Sequence, residues 1–140
     1  MKVIESKIAN LIIKKNKTEL GFINFFEDVL VVEFNEGVHI DYQASREHID
    51  LILDFYKDKS FGYICNRIDK FSVYPLDFSK FNKALNNLTA FCIVCYSEFD
   101  RINTEIESMF CVDKPYKAFD TIEDAYYWVK DYSNNESVKR

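Results

Sequence analysis

The chain has 140 residues, the usual size of one domain, and its contents of 48% hydrophobic and 16% aromatic residues exclude a disordered chain. Its formal net charge of -5 would repel a phosphate backbone, so we expect no nucleic acid partner. The longest apolar runs, 29–32 and 91–96, are far shorter than the roughly 20 residues that span a bilayer, and no secretory leader is visible. We therefore expect a cytoplasmic protein that is not integral to a membrane.

The first forty residues predict a strand meander. Residues 8–14 and 20–26 alternate apolar with polar side chains, which is typical of half-buried strands, and 15–17 is the predicted turn between them. The unbroken apolar run at 29–34 predicts a strand that is covered on both faces. A short further strand is predicted at 38–40.

From Asp41 onward the apolar period is that of a helix, and strands then alternate with helices. Asp41 is the expected N-cap of a first helix that ends near Tyr56. Strands are predicted at 61–65, 89–96 and 117–119, each followed by a helix. The helix after the first of these carries apolar residues at Phe78, Phe81, Leu85 and Leu88.

Two capping patterns begin the last two helices, at Ser97 and Thr121. Behind each pattern an apolar stripe is expected to face the core. The predicted inward residues are Phe99, Ile102, Ile106 and Met109 in the third helix, and Ile122, Ala125, Trp128, Val129 and Tyr132 in the fourth.

A strand followed by a helix, three times over, requires right-handed crossovers and therefore a mainly parallel sheet. The meander adds antiparallel strands at one side. The predicted fold class is α/β, with a mixed, mostly parallel sheet, N-terminal antiparallel strands and about four helices. We expect a single domain over 1–132, and a flexible C-terminal tail over 133–140, where no periodic pattern continues.

The cysteines form no redox or metal pattern that fits the predicted elements. Cys92 and Cys95 are spaced as CxxC, but strand positions three apart point to opposite faces of a sheet. Together with Cys65 and Cys111 they are predicted to be reduced thiols that act as small hydrophobic residues.

The two histidines do not complete a metal site. His39 and His48 are nine residues apart, and His48 lies on the apolar stripe of the first helix, where a hydrogen-bonded, partly buried imidazole is expected. We predict no catalytic residue, no metal and no cofactor. A cysteine hydrolase that uses Cys65 with either histidine is the enzymatic alternative.

Ligand clefts in open α/β sheets form beyond the carboxyl ends of the parallel strands. Arg67 lies at such an end, where a guanidinium is suited to clamp a carboxylate or phosphate; an ion pair with Glu98 or Asp69 is its structural alternative. Two aromatic residues in the following loop would line an apolar floor or cover the core. The candidate residues for binding a ligand or partner are Asn66, Arg67, Phe71, Tyr74, Ser97 and Glu98.

From Val29 onward the order of elements resembles the anti-sigma-factor antagonist superfamily, also called STAS or SpoIIAA-like, which has lipid-binding relatives of SEC14-like type. The resemblance covers about four-fifths of the chain by order and spacing. It rests on 63–67 with Tyr74 and Pro75, on the strand 91–95, and on 119–125 with Trp128.

Members of that superfamily that act as phosphorylation switches carry an Asp-Ser or Asp-Thr pair at the start of the helix after the central strand. Here the corresponding stretch reads Tyr74-Pro75-Leu76-Asp77, without a hydroxyl on an aliphatic side chain. The resemblance therefore implies a module that lacks this phosphorylatable residue. Ser72 and Ser79 lie nearby and are the alternative sites of modification.

Three functions remain open. The favoured one is a non-enzymatic interaction or regulatory module that docks on a protein partner or on itself through the surface around 69–77; its sign would be an exposed apolar patch. The second, implied by the lipid-binding relatives, is a carrier or sensor of a small amphiphile, which needs an enclosed apolar cavity with a polar mouth. The third is an enzyme, whose sign would be a strongly shifted pKa in a cleft.

Overall fold

The structure, a computed structural model, describes residues 1–109 and 114–139, and for 133–139 it describes the backbone. Its strands are β1 (Lys14–Thr18), β2 (Gly21–Phe25), β3 (Val29–Phe34), β4 (His39–Ile40), β5 (Phe61–Asn66), β6 (Ser72–Val73), β7 (Leu88–Val94) and β8 (Tyr116–Phe119). Its α-helices are α1 (Arg46–Tyr56), α2 (Phe78–Ala84), α3 (Glu98–Ser108) and α4 (Ile122–Lys139).

A six-stranded mixed sheet with the order β1-β2-β3-β5-β7-β8 forms the centre of the fold. β1, β2 and β3 pair antiparallel, whereas β3, β5, β7 and β8 pair parallel. β4 and β6 form a separate two-stranded parallel sheet. The predicted fold class, a mostly parallel α/β sheet with antiparallel N-terminal strands, is confirmed.

Each face of the sheet carries its own hydrophobic core. Ile49, Ile52 and Tyr56 of α1 pack on one face, which we call the α1 face. Ile122 and Val129 of α4 pack on the other, together with the N-terminal segment. All residues of β3 and β5 are buried, as expected for central strands covered on both sides.

The N-terminal prediction is wrong in detail. Residues 8–14 do not form a strand: two short 3-10 helices, Val3–Glu5 and Ala9–Leu11, precede β1, which includes the predicted turn at 15–17. Most side chains of β1 are exposed, because its lysines lie on the edge strand of the sheet. The turn into β2 ends at Gly21, whose φ of 148° is a backbone conformation that other residues rarely adopt. A side chain at this position would also place its Cβ 2.2 Å from the Glu33 carbonyl oxygen, which excludes other residues.

Two helix boundaries also differ from the prediction. Asp41 accepts a hydrogen bond from the Ala44 backbone N–H at 2.7 Å and caps a turn, so that α1 begins only at Arg46. Leu88 is the first residue of β7 and does not belong to α2. Its spacing from Leu85 fits a helix, but it equally fits an apolar residue that begins the next buried strand.

The stripe predicted for α4 is confirmed at Ile122, Ala125 and Val129, which are fully buried. Trp128 is only half-buried, with its ring centroid 5.6 Å from that of Phe119. α4 continues through the predicted tail to Lys139, since extending a helix that is already docked needs no new nucleation. That 133–140 is flexible stays a prediction.

Candidate functional site

Arg67 follows β5 and is buried on the α1 face of the sheet. Its Nη2 lies 2.7 Å from Oε1 of Glu107 and its Nη1 lies 3.0 Å from Oε2, so that two parallel hydrogen bonds join the charges. Nη1 also donates to Oγ1 of Thr104 at 3.2 Å, and the guanidinium carbon lies 4.7 Å from the ring centroid of Phe71.

The predicted ion-pair partners of Arg67, Glu98 and Asp69, are therefore wrong. Burial by itself would lower the pKa of the guanidinium, but the hydrogen bonds to Glu107 raise it above its ordinary value. The partner is 40 residues away along the chain. This ion pair fixes α3 over the carboxyl end of β5.

The inward face of α3 is polar, contrary to the prediction. Asp100, Thr104 and Glu107 are buried, and Thr104 donates to the Asp100 carbonyl at 2.8 Å while its oxygen lies 3.4 Å from Sγ of Cys95. Burying the Arg67 guanidinium without hydrogen-bond acceptors would cost more free energy than leaving the apolar side chains of α3 exposed to water. The polar stripe of α3 therefore faces inward.

The apolar stripe of α3 consequently faces outward. We call it the α3 seam, and its four side chains, Phe99, Ile102, Ile106 and Met109, are 59%, 49%, 52% and 72% exposed. Lys70 lies at its N-terminal end, with Nζ 5.3 Å from the ring centroid of Phe99. The predicted surface at 69–77 is thus continuous with the seam.

Asn66 lies on the opposite face of the sheet from Arg67, because successive strand residues alternate. Its Nδ2 donates to Oε2 of Glu33 at 2.7 Å and to the Met1 carbonyl at 2.9 Å, and its Oδ1 accepts from the Tyr96 hydroxyl at 2.6 Å. Val3 N–H also donates to Glu33. In this position Asn66 anchors the N-terminal segment.

The remaining candidates lie apart from Arg67. Ser97 is the N-cap of α3, where its Oγ accepts from the Asp100 N–H at 3.1 Å, and Glu98 is exposed in the first turn. Tyr74 is exposed beside a polar depression that includes Asp77. A hydrogen bond from the Tyr42 N–H and the nearby Lys80 lower the pKa of Asp77. Only Arg67 and Phe71 come together.

A small apolar cavity of about 70 Å³ lies between the sheet, α1 and α2 on the α1 face. Four of its polar side chains are paired with one another: Nε2 of His48 lies 2.9 Å from the Tyr63 hydroxyl, and Arg67 is bound to Glu107. The aromatic residues that line it are Phe34, Tyr63, Phe71, Phe78, Phe81, Phe91 and Tyr116. The cavity therefore presents an apolar wall with a paired charge at its edge.

The expectation for His48 is confirmed, and burial lowers the pKa of its imidazole to about 4. Sequence reasoning did not identify Tyr63 and Glu107. Tyr63 and Cys65 of β5 and Arg67 directly after it are spaced two residues apart, which is a signal that they share one face. No local signal links Glu107 to them.

The cysteines of the described residues are buried and free, as predicted. Cys92 contributes to the core under α4 and Cys95 to the core on the α1 face, so the CxxC pair does point in opposite directions. Burial raises the pKa of Cys65 to about 12, the reverse of an activated nucleophile. Cys111 lies outside the described residues.

In the described part of the chain, no three His, Cys, Asp or Glu side chains are grouped to hold a metal ion.

No family model and no curated protein matches the chain. Among solved structures, it superposes on an uncharacterized protein of the DUF3478 family with a SpoIIAA-like fold, from Shewanella loihica PV-4, with a TM-score of 0.54. The match covers 83% of this chain and 90% of the other, at 13% identity. The fold is SpoIIAA-like.

The resemblance stated from the sequence is thereby confirmed at the level of the fold. An identity of 13% carries no residue roles from the Shewanella loihica protein to this SpoIIAA-like chain. Within the described residues, no helix is both long and apolar enough to span a membrane.

Proposed function

We propose that this SpoIIAA-like protein is a non-enzymatic interaction module and that the α3 seam is its docking surface. The observation that carries the proposal is the orientation of α3, which buries three polar residues and exposes four large apolar ones. Their exposed surface amounts to roughly 400 Å², since a large apolar side chain presents about 200 Å² when fully exposed. Contiguous patches of this size on a monomer are often functional.

The position of the seam also fits the surface that the sequence predicted. The loop at 69–77 reaches the seam through Lys70, and Leu76 and Tyr74 add exposed apolar surface to the same loop. A partner that covers Phe99 would therefore touch this loop as well.

The test replaces Ile102 and Ile106 together by Gln, which keeps the helix and removes the apolar surface. The matched control is Ile13→Gln, because Ile13 is 60% exposed next to β1, at the far edge of the sheet from α3. Since all three side chains are exposed, we expect unfolding free energies within about 0.5 kcal/mol of the wild type.

Affinity capture from lysate of the source cells is compared among the three proteins, and the captured protein is then purified for calorimetric titration. We expect it to bind the wild type and the Ile13 variant, and to lose at least about 100-fold in affinity for the double variant, or about 2.7 kcal/mol. Equal affinity for all three proteins would disprove docking on the seam.

A second candidate function, carrier of a small amphiphile, is favoured by the apolar cavity with the Arg67–Glu107 pair at its edge. Its volume of about 70 Å³ is well below the 300 Å³ or more of typical ligand pockets. A lipid-sized cargo would therefore require α1 or α2 to move away from the sheet.

Native mass spectrometry of gently purified protein tests this second candidate. We expect the non-covalent mass to equal the denatured mass, because a cavity of about 70 Å³ leaves no room for a lipid chain. An additional mass that disappears on denaturation would reverse the ranking of the two functions, and its size would identify the ligand class.

A further inference from the structure

The α3 seam has the spacing of a helix–helix interface. Its residues are three, four and three positions apart, which places Phe99 and Ile106 at a positions and Ile102 and Met109 at d positions of two consecutive heptads. Such a stripe is matched in shape by a second helix, whose side chains fit between those of the seam.

The charges at the helix positions that flank the seam are acidic, whereas Lys70 of the neighbouring loop lies at its N-terminal end. Glu98 and Glu105 occupy the g positions and are exposed, and Asn103 occupies the described e position. Arg101 lies one position farther from the seam and is bound to Asp120. A helix on the seam would therefore have two carboxylates along one side of it.

A second copy of this chain fits that arrangement poorly. In an antiparallel pair the g positions face each other, so Glu98 of one copy would approach Glu105 of the other. In a parallel pair Glu98 would meet Asn103, which offers no charge. The net charge of -5 adds a general repulsion between copies.

We propose that the α3 seam binds a basic amphipathic helix of another protein, with apolar residues at a and d and with Lys or Arg opposite Glu98 and Glu105. This inference rests on the proposed function and specifies the partner. The apolar contacts supply most of the affinity, and the two carboxylates select the charge of the partner.

Two fluorescein-labelled peptides of about three heptads test the proposal, and their binding is followed by fluorescence anisotropy. Both carry Leu at a and d; one carries Lys at e and g, and the other carries Glu there. We expect the wild type to bind the Lys peptide at least about tenfold more tightly than the Glu peptide, with the difference shrinking between about 0.05 and 0.3 M NaCl.

The charge-swapped variant, Glu98→Lys with Glu105→Lys, is expected to reverse this preference. Its matched control is Glu19→Lys with Glu27→Lys, which changes the net charge equally at exposed positions in the turns before and after β2, outside α3, and should keep the preference for the Lys peptide. The Ile102→Gln, Ile106→Gln variant is expected to bind neither peptide.

Equal binding of the two peptides, or an unchanged preference in the charge-swapped variant, would overturn the inference. Sedimentation that shows a wild-type dimer, absent in the Ile102→Gln, Ile106→Gln variant, would also overturn it. The same holds if the wild type binds phosphatidylglycerol vesicles and this variant does not. If the captured protein still requires Ile102 and Ile106 while the peptides fail, the interaction module stands and the basic helix does not. If the captured protein ignores the Ile variant, the proposed function itself is wrong.

Discussion

Replacing Glu107 by Ala is expected to lower the free energy of unfolding by about 3–5 kcal/mol, the usual cost of leaving one member of a buried ion pair alone. The side chains of Arg67 and Glu107 are only 5% and 10% exposed, so water cannot easily replace the lost carboxylate. Thr104 would remain as a neutral acceptor, too weak to compensate for a full charge. Urea denaturation at neutral pH measures the change, through a shift in midpoint at constant slope.

The matched control for this prediction is Glu105→Ala, two positions away on α3 and exposed, which should change stability by less than about 0.5 kcal/mol. The double variant Arg67→Met, Glu107→Leu removes both charges and is expected to recover most of the loss, because apolar side chains of similar volume replace buried ion pairs at little cost. A Glu107→Ala variant as stable as the wild type would show that the pair is solvated and does not hold α3.

The order of elements could be predicted because its signals are local. The buried runs that became β3 and β5, the helical spacing in α1, and the Ser97 and Thr121 caps all depend on residues within one element. The N-terminal strand could not be located in the same way. Ile8 is buried in the core that α4 covers rather than in a strand, and short alternating segments do not distinguish these two environments.

The orientation of α3 could not be predicted from its own sequence. Local patterning favours an apolar stripe toward the core, and here a residue 40 positions away, Arg67, requires the polar stripe instead. In the sequence the candidate residues share a position at or after the carboxyl ends of predicted strands. The sheet separates Asn66 from Arg67, since neighbouring strand residues face opposite sides. The binding roles of all six candidates stay predictions.

The stability of the protein is expected to fall by about 3 kcal/mol through His48 alone as the pH decreases from 6.5 to about 4, at 1.36 kcal/mol per pKa unit. Burial lowers the pKa of His48 in the folded state, so the unfolded chain binds a proton in this range that the folded protein does not. The stabilising contribution is complete above pH 6.5 and is lost on acidification. Nε2 of His48 is held by the Tyr63 hydroxyl, whose own pKa is raised by burial.

Urea denaturation across this pH range separates the histidine from the carboxylates, which also destabilise the protein in acid. His48→Gln keeps a polar side chain beside Tyr63 but cannot titrate, so its stability should decline less steeply than that of the wild type below pH 6.5. The control is His39→Gln, because His39 is exposed and bonded to Ser72, and its profile should follow the wild type. If the profiles of the His48→Gln variant and the wild type coincide, the pKa of His48 is not lowered by folding and the imidazole accepts its proton in the folded state. The region around α1 would then admit water more readily than the buried His48–Tyr63 pair indicates.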